Sequence, residues 1–100
     1  MAELGDVVQK VRSKNAGPFW LTIDVFCGNS DVFARVAGSV STARVAALYG
    51  VAEDLMRRFD IADLNVVKFS FPRPTVQGTA ADRDMHGAGW AVLLEEMEIG

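Results

Sequence analysis

The run Arg12-Ser13-Lys14-Asn15-Ala16-Gly17 places two cations, a hydroxyl and an amide within four positions, with a glycine close behind. Guanidinium and ammonium groups make charge-assisted hydrogen bonds to carboxylates and phosphates, and a loop of this kind can add backbone N–H groups to the same anion. Arg12, Ser13, Lys14, Asn15 and Gly17 are therefore candidate ligands for an anionic substrate. The plainer alternative is a solvated turn with two surface cations. The pattern G-x-x-x-x-G-K-[ST] is absent, so this is not a Walker A loop.

A second cluster is Asp82-Arg83-Asp84-Met85-His86-Gly87. Two acids and a histidine can hold a metal or share a proton, and His86 can act as a general acid or base with Asp84 orienting it. The alternative is a helix start, where acids favour the macrodipole. One cysteine and one histidine cannot make a structural zinc site of Cys and His type in one chain. The composition calls for no metal and no cofactor.

Arg73 lies between Pro72 and Pro74 at an extended strand exit. From there it can join the anion site of the first run, or serve as an edge charge that blocks strand addition. Cys27 ends an apolar strand face with no cation beside it in sequence, so it reads as core. Ser13, Ser30, Ser39, Ser41 and Ser70 have no nucleophile-elbow context. Trp90 falls on the apolar side of the last helix and reads as core.

The elements that must position these groups follow from periodicity. Leu4, Val7, Val8 and Val11 recur at helical spacing, with Gly5 as a weak point. Residues 12–18 read as a loop. Phe19 to Cys27 alternates as a strand, with Trp20 and Phe26 on its second face. Ser30 or Asp31 caps a short helix that Gly38 ends. Ser41 or Thr42 starts another, with Gly50 at its left-handed C-terminal position. Leu55–Ile61 and Val66–Phe71 alternate about Asp63-Leu64-Asn65 as a hairpin, with Leu55, Phe59 and Ile61 on one face and Met56, Arg58 and Asp60 on the other. Pro72 ends it. Residues 75–87 read as a loop, Ala88–Glu96 as a helix and Met97–Ile99 as a short strand or frayed tail.

This order predicts one α+β domain over residues 1–100: an antiparallel sheet with helices packed on one face, a ferredoxin-like split βαβ variant. Its second sheet face would carry Trp20, Phe26 and Met56, which calls for a partner surface, either another copy or another subunit. The chain has 100 residues, half of them apolar, with mean hydropathy +0.17 and net charge −3. That composition excludes a disordered chain and argues against general nucleic-acid binding. No stretch is long and apolar enough to span a membrane, the N-terminus has no signal-like run, and the expected compartment is the cytoplasm.

The segment Arg12-Ser13-Lys14-Asn15-Ala16-Gly17-Pro18-Phe19-Trp20-Leu21-Thr22-Ile23-Asp24 closely resembles the opening signature of a small bacterial family of unknown function. Leu48-Tyr49-Gly50-Val51, Phe71-Pro72-Arg73-Pro74, Asp82 to Ala88 and Leu93 to Ile99 extend the resemblance over nearly the whole chain. The chain departs from the family pattern at His86, where a tyrosine is usual, and at Gly89 and Trp90, where polar residues are usual. Such proteins tend to be encoded beside, or fused to, large proteins of acyclic terpene utilisation type, which carry a similar ferredoxin-like C-terminal domain. The resemblance implies a small subunit docked on a larger catabolic protein. Arg12, Lys14, Asn15 and Arg73 would then bind a carboxylate or acyl-thioester substrate, in lyase or hydratase chemistry. The alternatives are a free-standing homo-oligomeric enzyme using His86, and a purely structural module.

Overall fold

The alternating segment from residue 19 forms the centre of the molecule. This computed structural model describes residues 2–16, 19–72 and 90–99. Its elements run β1 (Ala2–Glu3), α1 (Leu4–Val7), β2 (Lys10–Asn15), β3 (Trp20–Phe26), α2 (Ser30–Ser39) and α3 (Thr42–Tyr49). They continue with β4 (Arg57–Ile61), β5 (Val66–Pro72), α4 (Trp90–Glu95) and β6 (Glu98–Ile99). Four strands form one antiparallel sheet in the order β2-β3-β5-β4, and β1 pairs with β6 in a separate two-stranded ribbon.

The α+β class is as the element order predicts. β3 and β4 each run antiparallel to β5, so they are parallel to each other with β5 inserted between them. Helices α2 and α3 make the crossover, which is the split βαβ arrangement. The variation lies at the edge beside β3. There the N-terminal strand β2 completes the sheet, while the two-residue β6 turns away to β1.

One face of the sheet is apolar. Leu21, Ile23 and Val25 of β3 and Val67, Phe69 and Phe71 of β5 are fully buried, and they form one core with Val36, Val45, Ala46, Tyr49, Ala91 and Leu94 from the helices. Fully burying side chains of this size is worth roughly 1.5–3 kcal/mol each, which explains why strict alternation fixes the strand faces. Tyr49 packs on Phe71 with ring centroids 5.0 Å apart. Cys27 is buried in the same core, as expected.

Caps set the helix ends. The Asn29 side chain accepts from Val32 N–H at 2.8 Å, so the cap of α2 lies one residue before Ser30. The helix runs through Gly38 to Ser39. Ser41 Oγ accepts from Arg44 N–H at 3.1 Å. Gly50 holds φ 69° at the end of α3, a conformation that costs other residues a Cβ clash.

Three sequence expectations need correction. Leu4, Val8 and Val11 are all buried, as a helical stripe requires, yet the helix is a single turn, with Val8 already extended. Gly5 and two adjacent valines make a weak helix, and β3 offers a partner for the residues that follow. Gly5 itself backs onto α4: a Cβ there would stand 3.1 Å from Glu95 Cβ and 3.2 Å from its carbonyl oxygen. Second, β4 is inverted. Arg58 pairs with Phe69 and Phe59 with Lys68, which puts Arg58 and Asp60 on the helix side and Phe59 and Ile61 outward. Third, Met56, expected on the outer face, is buried in the core.

Candidate binding surface

The run Arg12 to Gly17 was expected as a loop. Its first four residues instead belong to β2, laddered with β3 from Lys10↔Phe26 to Asn15↔Leu21. Ala16 N–H continues the pairing to Trp20 O at 2.9 Å. Successive side chains of a strand point to opposite faces, so the cluster is split. Val11 and Ser13 turn inward and are buried; Lys10, Arg12 and Lys14 turn outward and are exposed. Ser13 Oγ accepts the Ala91 N–H at 3.0 Å and ties β2 to the first turn of α4. Ser13 is thus held on the opposite side of the sheet from Arg12 and Lys14. Asn15, opposite the inward Leu21, also falls on the Ser13 side, exposed at the strand end and parted from Arg12 and Lys14. Gly17, Arg73, Asp82, Asp84 and His86 lie outside the described residues.

The register brings other residues to the two outward cations. One row across the outer face reads Arg12, Asp24, Lys68, Phe59, and the next reads Lys14, Thr22, Ser70, Arg57. A third reads Lys10, Phe26, Val66, Ile61. Directly opposed side chains in such rows stand about 5 Å apart at Cβ. The sequence reading missed Lys10, Thr22, Arg57, Lys68 and Ser70 as members of this surface. The alternation of β5 signals Lys68 and Ser70. Arg57 could be placed only with the β4 register in hand.

Among the described residues, five cations and one acid occupy this face. Arg57 sits 5.7 Å from the centroid of the Trp20 ring, and Lys10 Nζ sits 5.9 Å from that of Phe26. Both distances lie within cation–π range. Trp20 is 36% exposed and Phe59 47%. Thr22 is only 5% exposed, and its hydroxyl has no hydrogen-bond partner among the described residues. Nor do Arg12, Lys14 and Lys68 make a hydrogen bond or ion pair there.

The helix side differs. Arg58 donates to Asp60 Oδ1 at 2.8 Å, Val40 O at 2.5 Å and Ala37 O at 2.9 Å, and stacks 5.7 Å from the Phe69 centroid. An open groove of about 530 Å³ between α3 and α4 is lined by Arg44, Ala47, Leu48, Leu93, Glu96 and Met97. Arg44 also bonds the Ser39 and Glu98 carbonyls, at 3.0 and 2.6 Å. Burial pushes the Cys27 thiol up, which makes it a poor nucleophile. Among the described residues no group of three His, Cys, Asp or Glu side chains could hold a metal ion.

A family model described as a domain of unknown function, DUF4387, matches residues 4–98. The chain belongs to that family. No curated protein and no solved structure matches it significantly. The DUF4387 match takes in the whole four-stranded sheet, both edge strands and the α4 contact to Ser13. Among the described residues of this DUF4387 chain, no helix is long and apolar enough to cross a membrane.

Proposed function

We propose that this DUF4387 chain is a small subunit that completes a site on a larger catabolic protein of acyclic terpene utilisation type. The substrate class is a carboxylate or acyl-thioester, and the chemistry is that of a lyase or hydratase. The observation that carries this reading is the placement of Arg12 and Lys14. Both point outward from one strand, two residues apart, with no ion pair among the described residues. Two exposed cations on a sheet face hold a small anion weakly, because water screens them and nothing encloses the ligand. Small-molecule sites are concave and bury most of their ligand. A second polypeptide closing over this face would supply the missing walls and strengthen the same charges by excluding water. Gly17 and Arg73 remain candidates for the same anion, whereas Asn15 falls on the Ser13 side of the strand. The cytoplasm is the compartment that fits such chemistry.

The test is co-purification of the tagged chain from its native host, followed by activity of the recovered assembly on carboxylate and acyl-thioester substrates. The expected result is one large protein of the proposed type at fixed stoichiometry, with turnover that neither component shows alone. A stable homo-oligomer that turns over unaided would contradict it. That outcome would favour the enzyme in which His86 is acid or base and Asp84 orients it.

A further inference from the structure

The charges of the described residues are sorted by face. The sequence holds 10 cations and 13 acids. Five of those cations, Lys10, Arg12, Lys14, Arg57 and Lys68, share the outer sheet face with one acid, Asp24. Among the described residues the other ten acids and three cations lie outside these rows, so the outer rows carry a net charge of +4 while the described residues together carry −3. Such segregation steers association and rejects partners of like charge.

The same face has the composition of an interface centre. Trp20 with Arg57 against its ring is an aromatic–arginine pair, the kind of anchor that dominates binding energy when water is excluded. Beside it in the register, the Thr22 hydroxyl is buried without a partner among the described residues, although buried polar groups are nearly always paired. An acceptor arriving from outside would satisfy it.

Resting on the subunit reading above, we infer that the outer sheet face is the docking surface, and that its occupant is an acidic, carboxylate-bearing patch of the larger polypeptide. Trp20, Arg57 and Lys68 anchor that patch, with Thr22 donating to one of its carboxylates. Arg12 and Lys14, at the β2 edge, are left for the substrate anion. A second copy of the chain fits poorly, since two faces of net charge +4 would repel in a symmetric dimer. A single-stranded nucleic acid would need free ring faces, and the Trp20 and Phe26 rings already carry cations.

The test is titration calorimetry of the full chain against the separately purified large protein at 50 and 300 mM NaCl. It compares wild type with Trp20→Ala, with the double variant Arg57→Glu/Lys68→Glu, and with Arg35→Glu on α2 as a charge-reversal control off this face. Circular dichroism checks that each variant is folded. The expected result is at least tenfold weaker binding at the higher salt, at least tenfold weaker binding for Trp20→Ala and for the double reversal, and a change within twofold for Arg35→Glu. Wild-type binding that ignores salt and both face variants would overturn this inference and leave the subunit reading standing. Absence of any wild-type binding would overturn both. Self-association abolished by the double reversal, or sub-micromolar binding of a 20-nucleotide single strand at 150 mM NaCl, would assign the face to another occupant and overturn the inference.

Discussion

Ser13 shows how one side chain can look like chemistry and act as architecture. It lies between two cations in sequence, but strand alternation turns it to the helix side, where its Oγ accepts the Ala91 N–H at 3.0 Å. Removing that acceptor leaves a buried N–H unpaired, which costs about 1–3 kcal/mol. Ser13→Ala should lower the urea midpoint accordingly, and should do so whether or not a partner is present. A Ser13→Ala chain of unchanged stability would show that α4 does not depend on this bond. The presence of cations, hydroxyl and amide was legible in residues 12–15. Their division between two faces was not, because polar content reads as loop until the pairing of residues 10–15 with residues 21–26 is known.

Among the elements, β4 departs most from its pattern. Phe59 and Ile61 were expected to seek the core, yet the register turns Arg58 inward instead. The guanidinium compensates by donating to the Ala37 and Val40 carbonyls at the C-terminal end of α2 and to Asp60. A cation at a helix C-terminus gains from the macrodipole, and its three-way fork suits a planar group. Arg58→Lys keeps the charge and loses the fork, so equilibrium unfolding should report a loss of roughly 1.5–3 kcal/mol. A loss below about 0.5 kcal/mol, the size of an ordinary surface change, would show that the inversion of β4 has another cause. Caps were more legible than faces. Ser41 and Gly50 stand where expected, because capping depends on local residue chemistry. The face of an edge strand is decided by its neighbour.

At the scale of the whole molecule, α3, α4 and the sheet meet at Tyr49. Its ring packs on Phe71, and burial pushes its hydroxyl well above the ordinary value of 10.0, with a nearby Glu95 adding to the effect and a bond to the Leu94 backbone opposing it. The folded state therefore holds this proton more tightly than the unfolded state. Tyr49 contributes full stability below about pH 10, and the contribution falls as pH rises above the unfolded value. Alkaline titration monitored by circular dichroism should show stability declining above about pH 10, with the decline reduced in Tyr49→Phe. The α+β class and the antiparallel hairpin of β4 and β5 follow from alternation and turn residues. The charge segregation of the outer face does not, because it arises only when Lys10, Arg12 and Lys14 are laid beside Lys68 and Arg57 by the register.

The most direct test of the account is turnover by the purified assembly with Arg12→Ala and Lys14→Ala in the small subunit, with sedimentation measured on the same samples at saturating partner. The account predicts an intact assembly whose turnover falls at least tenfold. Full turnover by an intact assembly would contradict it, and would leave the outer sheet face with no part in binding substrate.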